Sequence, residues 1–474
     1  MQILASKDNS SGKVGKNITL FLSGIFMTLI INILFYFSVL NFQIVLFLVA
    51  VVFTTISLFS FDLTIFLFFA TLFTHFIIYY LAAPVLFVIP VALSFFINFK
   101  NSKFDELKSP AFIGLGIYVI SIIPSYFNSV DLKLSLFLTT NLVSMILIHY
   151  IIVGAVKDTT DIKRYFNLYL LLVALNSVIV IVLSILNPGK RVYGIPGIVY
   201  VDYASIGIIG LVITIILKKK NLVFYLLLLI FIVASLIFTQ TRNVLISLAL
   251  TLVILVTYLF MKSKKIGFKK SAFIKYIVIF SLVSVTVVEI ILVYKPDSFT
   301  RIMETVDEAN NSAAYKDKLV VSSVTTRFLL WHTALMVFQA HPFVGAGAFA
   351  FPSASAIYTK VPKVFYKEYV EGLSPHLTFL ANLSETGVLG FCGFLFLLYI
   401  CLRNNIVSIS KSVSSEEIYV SVMLLFLQVY IIFSMFLTDA WLWGQCGMLW
   451  GVVIGLSSAN YKNLVRNSEI LKKE

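Results

Sequence analysis

Apolar residues run along this chain in long blocks with short polar breaks, from residue 18 to 294 and again from 379 to 457. A helix needs about 20 such residues to cross a bilayer, and in lipid only helices and closed barrels satisfy every backbone polar group. Blocks of that kind lie at 18–40, 42–60, 62–81, 83–98, 110–129, 133–155, 165–186, 201–217, 221–239, 243–261, 274–294, 379–403, 416–438 and 441–457. The weakest are 83–98, which is short and carries Pro84 and Pro90, and 201–217 in its boundary. The pattern predicts an all-α integral membrane protein, a polytopic bundle of about 12–14 transmembrane helices. The lower number applies if one such pair is re-entrant or merged.

One polar stretch is too long to be a connector. It divides the chain into an N-terminal transmembrane bundle (1–294), a large external loop (295–378), and C-terminal transmembrane helices with a tail (379–474). Within the loop, 324–340 has Phe328, Leu329, Leu335, Val337 and Phe338 with Trp331, which reads as an amphipathic helix along the membrane surface. Pro352 and Pro362 are expected to bracket a flexible crossing.

Composition supports the class: 60% of residues are hydrophobic and 12% charged, against about 25% charged in a soluble domain. The formal charge of +14 would suit a nucleic-acid binder, but the lysines gather in every second loop. Lys100, Lys103 and Lys108 are followed by Lys157, Lys163 and Arg164, then Lys218 to Lys220, then Lys262 to Lys275, then Arg403 and Lys411, then the C-terminal tail. That alternation is the positive-inside pattern. It predicts cytoplasmic N- and C-termini, an external large loop, and no nucleic-acid partner. The apolar run after the polar N-terminal tail lacks a small-residue cleavage site and reads as a first span. Cys392, Cys401 and Cys446 lie in apolar segments and read as free thiols.

Lys190, Arg191 and Arg242 then fall outside, against the charge rule. An anionic ligand at the outer face would account for them. Arg242, in TQTRN, either snorkels to the interface or presents its planar fork to a phosphate. Arg327, one turn before Trp331, either packs on the indole or contacts a phosphate or sugar, with the tryptophan stacking on a sugar ring. His376 follows Pro375 at the outer mouth of the bundle, and imidazole suits proton transfer near neutrality. His341, in His-Pro before Gly345 and Gly347, reads as part of a structural turn.

Glu385 lies inside the span starting near 379, where a carboxylate is costly unless paired. It is expected to hold Arg327 or His376, or to cap a neighbouring helix. Gly387 and Gly390 are expected to permit close helix packing. Asp202, Asp439, Trp441 and Trp443 fall at outer ends, the tryptophans as an interfacial belt and Asp439 as a minor site candidate. There is no Asp-x-Asp in the loop, no His-Glu-x-x-His and no P-loop, so neither a metal, a nucleotide nor another cofactor is expected.

These residues resemble the O-antigen ligase and polymerase family of bacterial envelope glycosyltransferases. The likeness lies in Arg327 with Trp331, in HPFVGAG from His341 to Gly347, and in PHLTFLANLSETGVLG from Pro375 to Gly390. The outer arginine in TQTRN and the Arg191-x-x-Gly194 stretch match weaker features. Relatives often carry Asn or Ser after the loop histidine, where this chain has Leu377.

The resemblance implies a multi-pass inner-membrane enzyme with a periplasmic site. It would transfer glycan, without a metal, from an undecaprenyl-diphosphate carrier to an acceptor hydroxyl. His376, Arg242 and Arg327 would be catalytic, with Arg191, Trp331 and Glu385 binding substrate. The reading taken is polymerisation of O-antigen or related repeat units, with a glycan acceptor, surrounding membrane lipids and a chain-length regulator protein as partners. The alternative is ligation of the polymer to lipid A-core. A transporter or flippase of lipid-linked glycan is the alternative of another class. It would show polar residues at mid-span and symmetric halves, whereas the charge here gathers at the outer mouth.

Overall fold

In a computed structural model of the protein, the described residues are 51, 53–58, 60–72, 83–98, 109–187, 191–194, 197–218, 221–263, 323–442 and 444–470. The spans expected at 18–40 and 274–294, most of 42–60, Lys190, Trp443 and the first part of the loop lie outside them. Every described element is a helix. In chain order these are α1 (Phe61–Leu72), α2 (Ala83–Asn98), α3 (Pro110–Phe127), α4 (Leu132–Ala155), α5 (Thr159–Leu186), α6 (Tyr200–Lys218), α7 (Leu222–Phe238) and α8 (Arg242–Met261). The loop holds α9 (Ser323–Ala340), α10 (Phe351–Tyr358) and α11 (Lys363–Tyr369), and α12 (Thr378–Lys411), α13 (Ser415–Met435) and α14 (Gly444–Ile470) follow.

Seven of the described helical stretches are long and apolar enough to cross a membrane, namely α3, α4, α5, α6, α8, α12 and α13. The protein is thus a polytopic helical membrane protein, as the pattern predicts. The chain encodes where the helices begin. Ser109, Asp131 and Asp158 each cap a helix by accepting backbone N–H bonds, and Ser414 and Glu417 form a reciprocal capping box before α13. In the loop, Pro352 sits in the first turn of α10 and Pro362 caps α11. The expected flexible crossing is therefore helical as far as Tyr358, with 359–362 as the link to α11; proline's missing N–H is harmless in a first turn.

The bundle packs around α6, which is buried along nearly its whole length. It contacts α5, α7, α8 and α13. A second group forms where α12 packs on α3, and α14 on α4. Gly393 lets α12 approach α3, since a Cβ there would lie 2.0 Å from the Ser121 hydroxyl.

Ion pairs gather at one end of the bundle. There Lys163 and Lys218 each lie 3.0 Å from Glu416, and Arg164 lies 3.2 Å from Asp62. The loop occupies the opposite end with a small core of its own, formed by Leu330, Ala334, Val337, Ala346, Phe351, Ala354 and Val370. The buried stripe of α9 faces α10 and α12. Trp441 is fully buried instead of standing in an interfacial belt.

Candidate functional site

The loop is fixed to the bundle by backbone. Residues 342–347 run beside a break in α12 at Gly387, whose φ of 63° and ψ of −168° are not helical. Ala346 and Gly347 donate to the carbonyls of Ser384 and Glu385, and Val388 and Leu389 donate to those of Pro342 and Phe343. The peptide groups freed by the break are re-bonded this way, which a broken helix near lipid requires. Two glycines make the approach possible. A Cβ on Gly345 would lie 2.2 Å from the Glu385 carbonyl, and one on Gly387 would lie 2.4 Å from the Phe343 carbonyl. Gly387 therefore serves a backbone crossing as well as packing.

Glu385 is buried beside this crossing, and its Oε1 accepts from the Phe351 N–H at 3.2 Å, at the start of α10. Of the roles considered, it fills that of a helix cap. His341 is held on both sides: Nδ1 lies 2.8 Å from Asn128 Nδ2, and Nε2 lies 2.6 Å from the Tyr358 hydroxyl. Asn128 also donates to the Gly345 carbonyl. Beside it, the Asp131 carboxylate caps α4 and accepts from the Ser353 hydroxyl. Those hydrogen bonds hold the Asp131 carboxyl below its ordinary range.

His376 stands differently. Its φ of 52° is in the left-handed region, which costs a non-glycine residue about 1–3 kcal/mol and must be imposed by its surroundings. The ties are visible on both sides. The Trp331 indole N–H donates to the Pro375 carbonyl at 3.0 Å. The Thr378 N–H and hydroxyl both donate to the Thr438 carbonyl, at 3.1 and 2.6 Å. This second tie brings Asp439 to the imidazole, with Oδ1 3.8 Å from Nδ1. The His376 side chain is 43% exposed and the Asp439 side chain 11%. Asp439 Oδ2 and Trp441 Nε1 are both buried without a hydrogen-bond partner among the described residues.

Arg327 is half-buried, and its Nη1 donates to Asn243 Oδ1 at 2.9 Å. Burial lowers its guanidinium from its ordinary value, although arginine keeps its charge. Asn243 follows Arg242, so this bond brings α9 to the head of α8. Arg191 is exposed and forms no ion pair among the described residues.

The structure therefore links Arg327 to the neighbour of Arg242, and Trp331 to the neighbour of His376. Glu385 lies in the loop's foundation, and no described contact joins Arg191 to these residues. Asp439 and Asn243 are the groups that sequence reasoning underweighted or missed. A signal existed for Asp439, an acid directly after an apolar run at the same end as the loop. None marked Asn243. Among the described residues, no three His, Cys, Asp or Glu side chains converge as metal ligands would.

Fold and site together define a polytopic helical membrane protein with a polar centre built between its loop and the ends of its spans. The family model described as O-antigen ligase matches residues 226–395. A domain of the O-antigen ligase family is therefore present from within α7 to within α12, and it contains Arg242, Arg327, Trp331, His341, His376 and Glu385. No curated protein matches the chain.

Proposed function

We propose that the protein is a glycosyltransferase that moves glycan from a polyprenyl-diphosphate carrier to an acceptor hydroxyl at the periplasmic face of the inner membrane. The lysine-rich end faces the cytoplasm in this reading. The observation that carries it is the half-exposed His376 with Asp439 beside its Nδ1, in the same family domain as Arg242 and Arg327.

His376 Nε2, on the side away from Asp439, accepts the proton of the acceptor hydroxyl. The hydroxyl oxygen bonds to the anomeric carbon as the bond from that carbon to phosphate breaks. The electron pair leaves with the carrier diphosphate. Arg242 and Arg191 meet the charge that grows on it, a task for which a bidentate guanidinium is suited without a metal. Arg327, oriented by Asn243, binds the diphosphate or the glycan, and Trp331 bounds the sugar. Asp439 orients the imidazole, as a buried carboxylate does in other histidine-based centres. Glu385 acts through the loop by fixing α10 beside the crossing.

The acceptor in this reading is another carrier-linked repeat unit, so the product is a longer polymer. The description of the matched family as O-antigen ligase favours a second reading, in which the polymer is joined to lipid A-core. Envelope glycan profiling of a deletion strain separates them. Loss of long chains with one repeat kept on lipid A-core supports polymerisation. Loss of all repeats from lipid A-core, with polymer held on the carrier, supports ligation. An unchanged envelope glycan contradicts both.

A further inference from the structure

Helix α9 turns two unlike faces to its surroundings. Leu330, Ala334 and Val337 are fully buried against α10 and α12. The other face carries Phe328, His332, Leu335 and Gln339, spaced four, three and four residues apart and so aligned along the helix. All four are exposed, Phe328 to 59% and Leu335 to 44%. At about 1.5 Å per residue the line is about 16 Å long. Its first end adjoins the site. Phe328 meets Trp331 edge to face with ring centroids 5.3 Å apart, and Trp331 is bonded to Pro375 beside His376.

The make-up of the line discriminates between occupants. A stripe in hydrocarbon would leave the imidazole of His332 and the amide of Gln339 without partners, at a cost. A face bearing anionic headgroups would carry lysine or arginine, and these four positions have none. A sugar chain presents apolar C–H faces and hydroxyl edges in alternation. The Phe328 ring and Leu335 suit the faces, and imidazole and amide suit the hydroxyls.

Resting on the transferase reading above, we infer that this face of α9 is a glycan-binding track that holds sugars beyond the one being joined. The track makes binding depend on substrate length without touching the reacting atoms.

The test uses the full protein purified in detergent. Its substrate is carrier-linked glycan extracted from the producing cells and separated into one-repeat and several-repeat fractions. The Phe328→Ala, Leu335→Ala double variant is expected to raise KM about tenfold for the several-repeat fraction at unchanged kcat, the mark of lost uniform binding. KM for the one-repeat fraction should change little, and Phe328→Trp should keep wild-type behaviour. An unchanged KM with long substrate, or an equal loss with short and long, overturns the track. His376→Ala reports on the underlying reading separately, through kcat with both fractions. Activity surviving there, alongside a length-dependent KM in the double variant, would remove the histidine mechanism and leave the track standing.

Discussion

His341 and His376 both lie in the loop next to a proline, and their surroundings are opposite in kind. His341 has both ring nitrogens bonded, to Asn128 and to Tyr358, and so clamps the loop to the turn between α3 and α4. His376 has one carboxylate neighbour at 3.8 Å among the described residues, a half-exposed side chain and a left-handed backbone. A ring with no spare nitrogen cannot take a proton from a substrate, whereas a ring held from behind and open in front can. In the proposed mechanism the loop thus separates two tasks. One histidine fastens the scaffold, and the other is presented by it.

That contrast can be broken at four points. The largest effect should come from the backbone crossing under both histidines. Gly387→Ala places a Cβ 2.4 Å from the Phe343 carbonyl and is expected to prevent accumulation of folded protein, read as loss of a monodisperse detergent-solubilised peak. Normal accumulation would show that the crossing gives way cheaply. Next, Asp439→Asn keeps the shape behind His376 and removes its charge. Transfer should fall roughly tenfold to a hundredfold with unchanged protein level, and an activity equal to wild type would detach Asp439 from the site.

A smaller effect is expected at the clamp. His341→Ala leaves Asn128 and Tyr358 each short of one partner and should cost about 1–3 kcal/mol of stability. Transfer per folded molecule should be nearly kept, and a selective loss of activity would end the division of tasks. The smallest effect concerns pH. Hydrogen bonds depress the Asp131 carboxyl in the folded protein, so its contribution is fully present above the unfolded value of about 3.9 and is lost as pH falls through the lower folded value. Melting temperature between pH 7 and pH 3 should therefore drop less in Asp131→Asn than in wild type. Equal drops would mean that the Ser353 and Leu134 contacts do not depend on that charge.

The sequence disclosed the bundle more fully than the site, for a physical reason. Span limits follow from apolar length and capping residues. The expected 133–155 and 243–261 spans accordingly meet helices at Leu132–Ala155 and Arg242–Met261. The break at Gly387 was not legible, because TGVLG fits an apolar helix and only the opposing 342–347 backbone makes the break affordable. His376, Arg327 and Trp331 were visible as unusual residues in one loop. Their partners were not, since Asn243 and Asp439 are distant in sequence and are brought in by helix packing. Trp441 misled for the same reason: a tryptophan at a span end suggests the interface, and here α12, α13 and α14 enclose the turn that carries it.

The most direct test is a side-by-side transfer assay of purified wild type, His376→Ala and His341→Ala, with host-extracted carrier-linked glycan as substrate and activity expressed per folded molecule. The account predicts at least about a hundredfold loss of kcat for His376→Ala and near-wild-type turnover for His341→Ala. Full activity in the first variant, or equal loss in both, would contradict it.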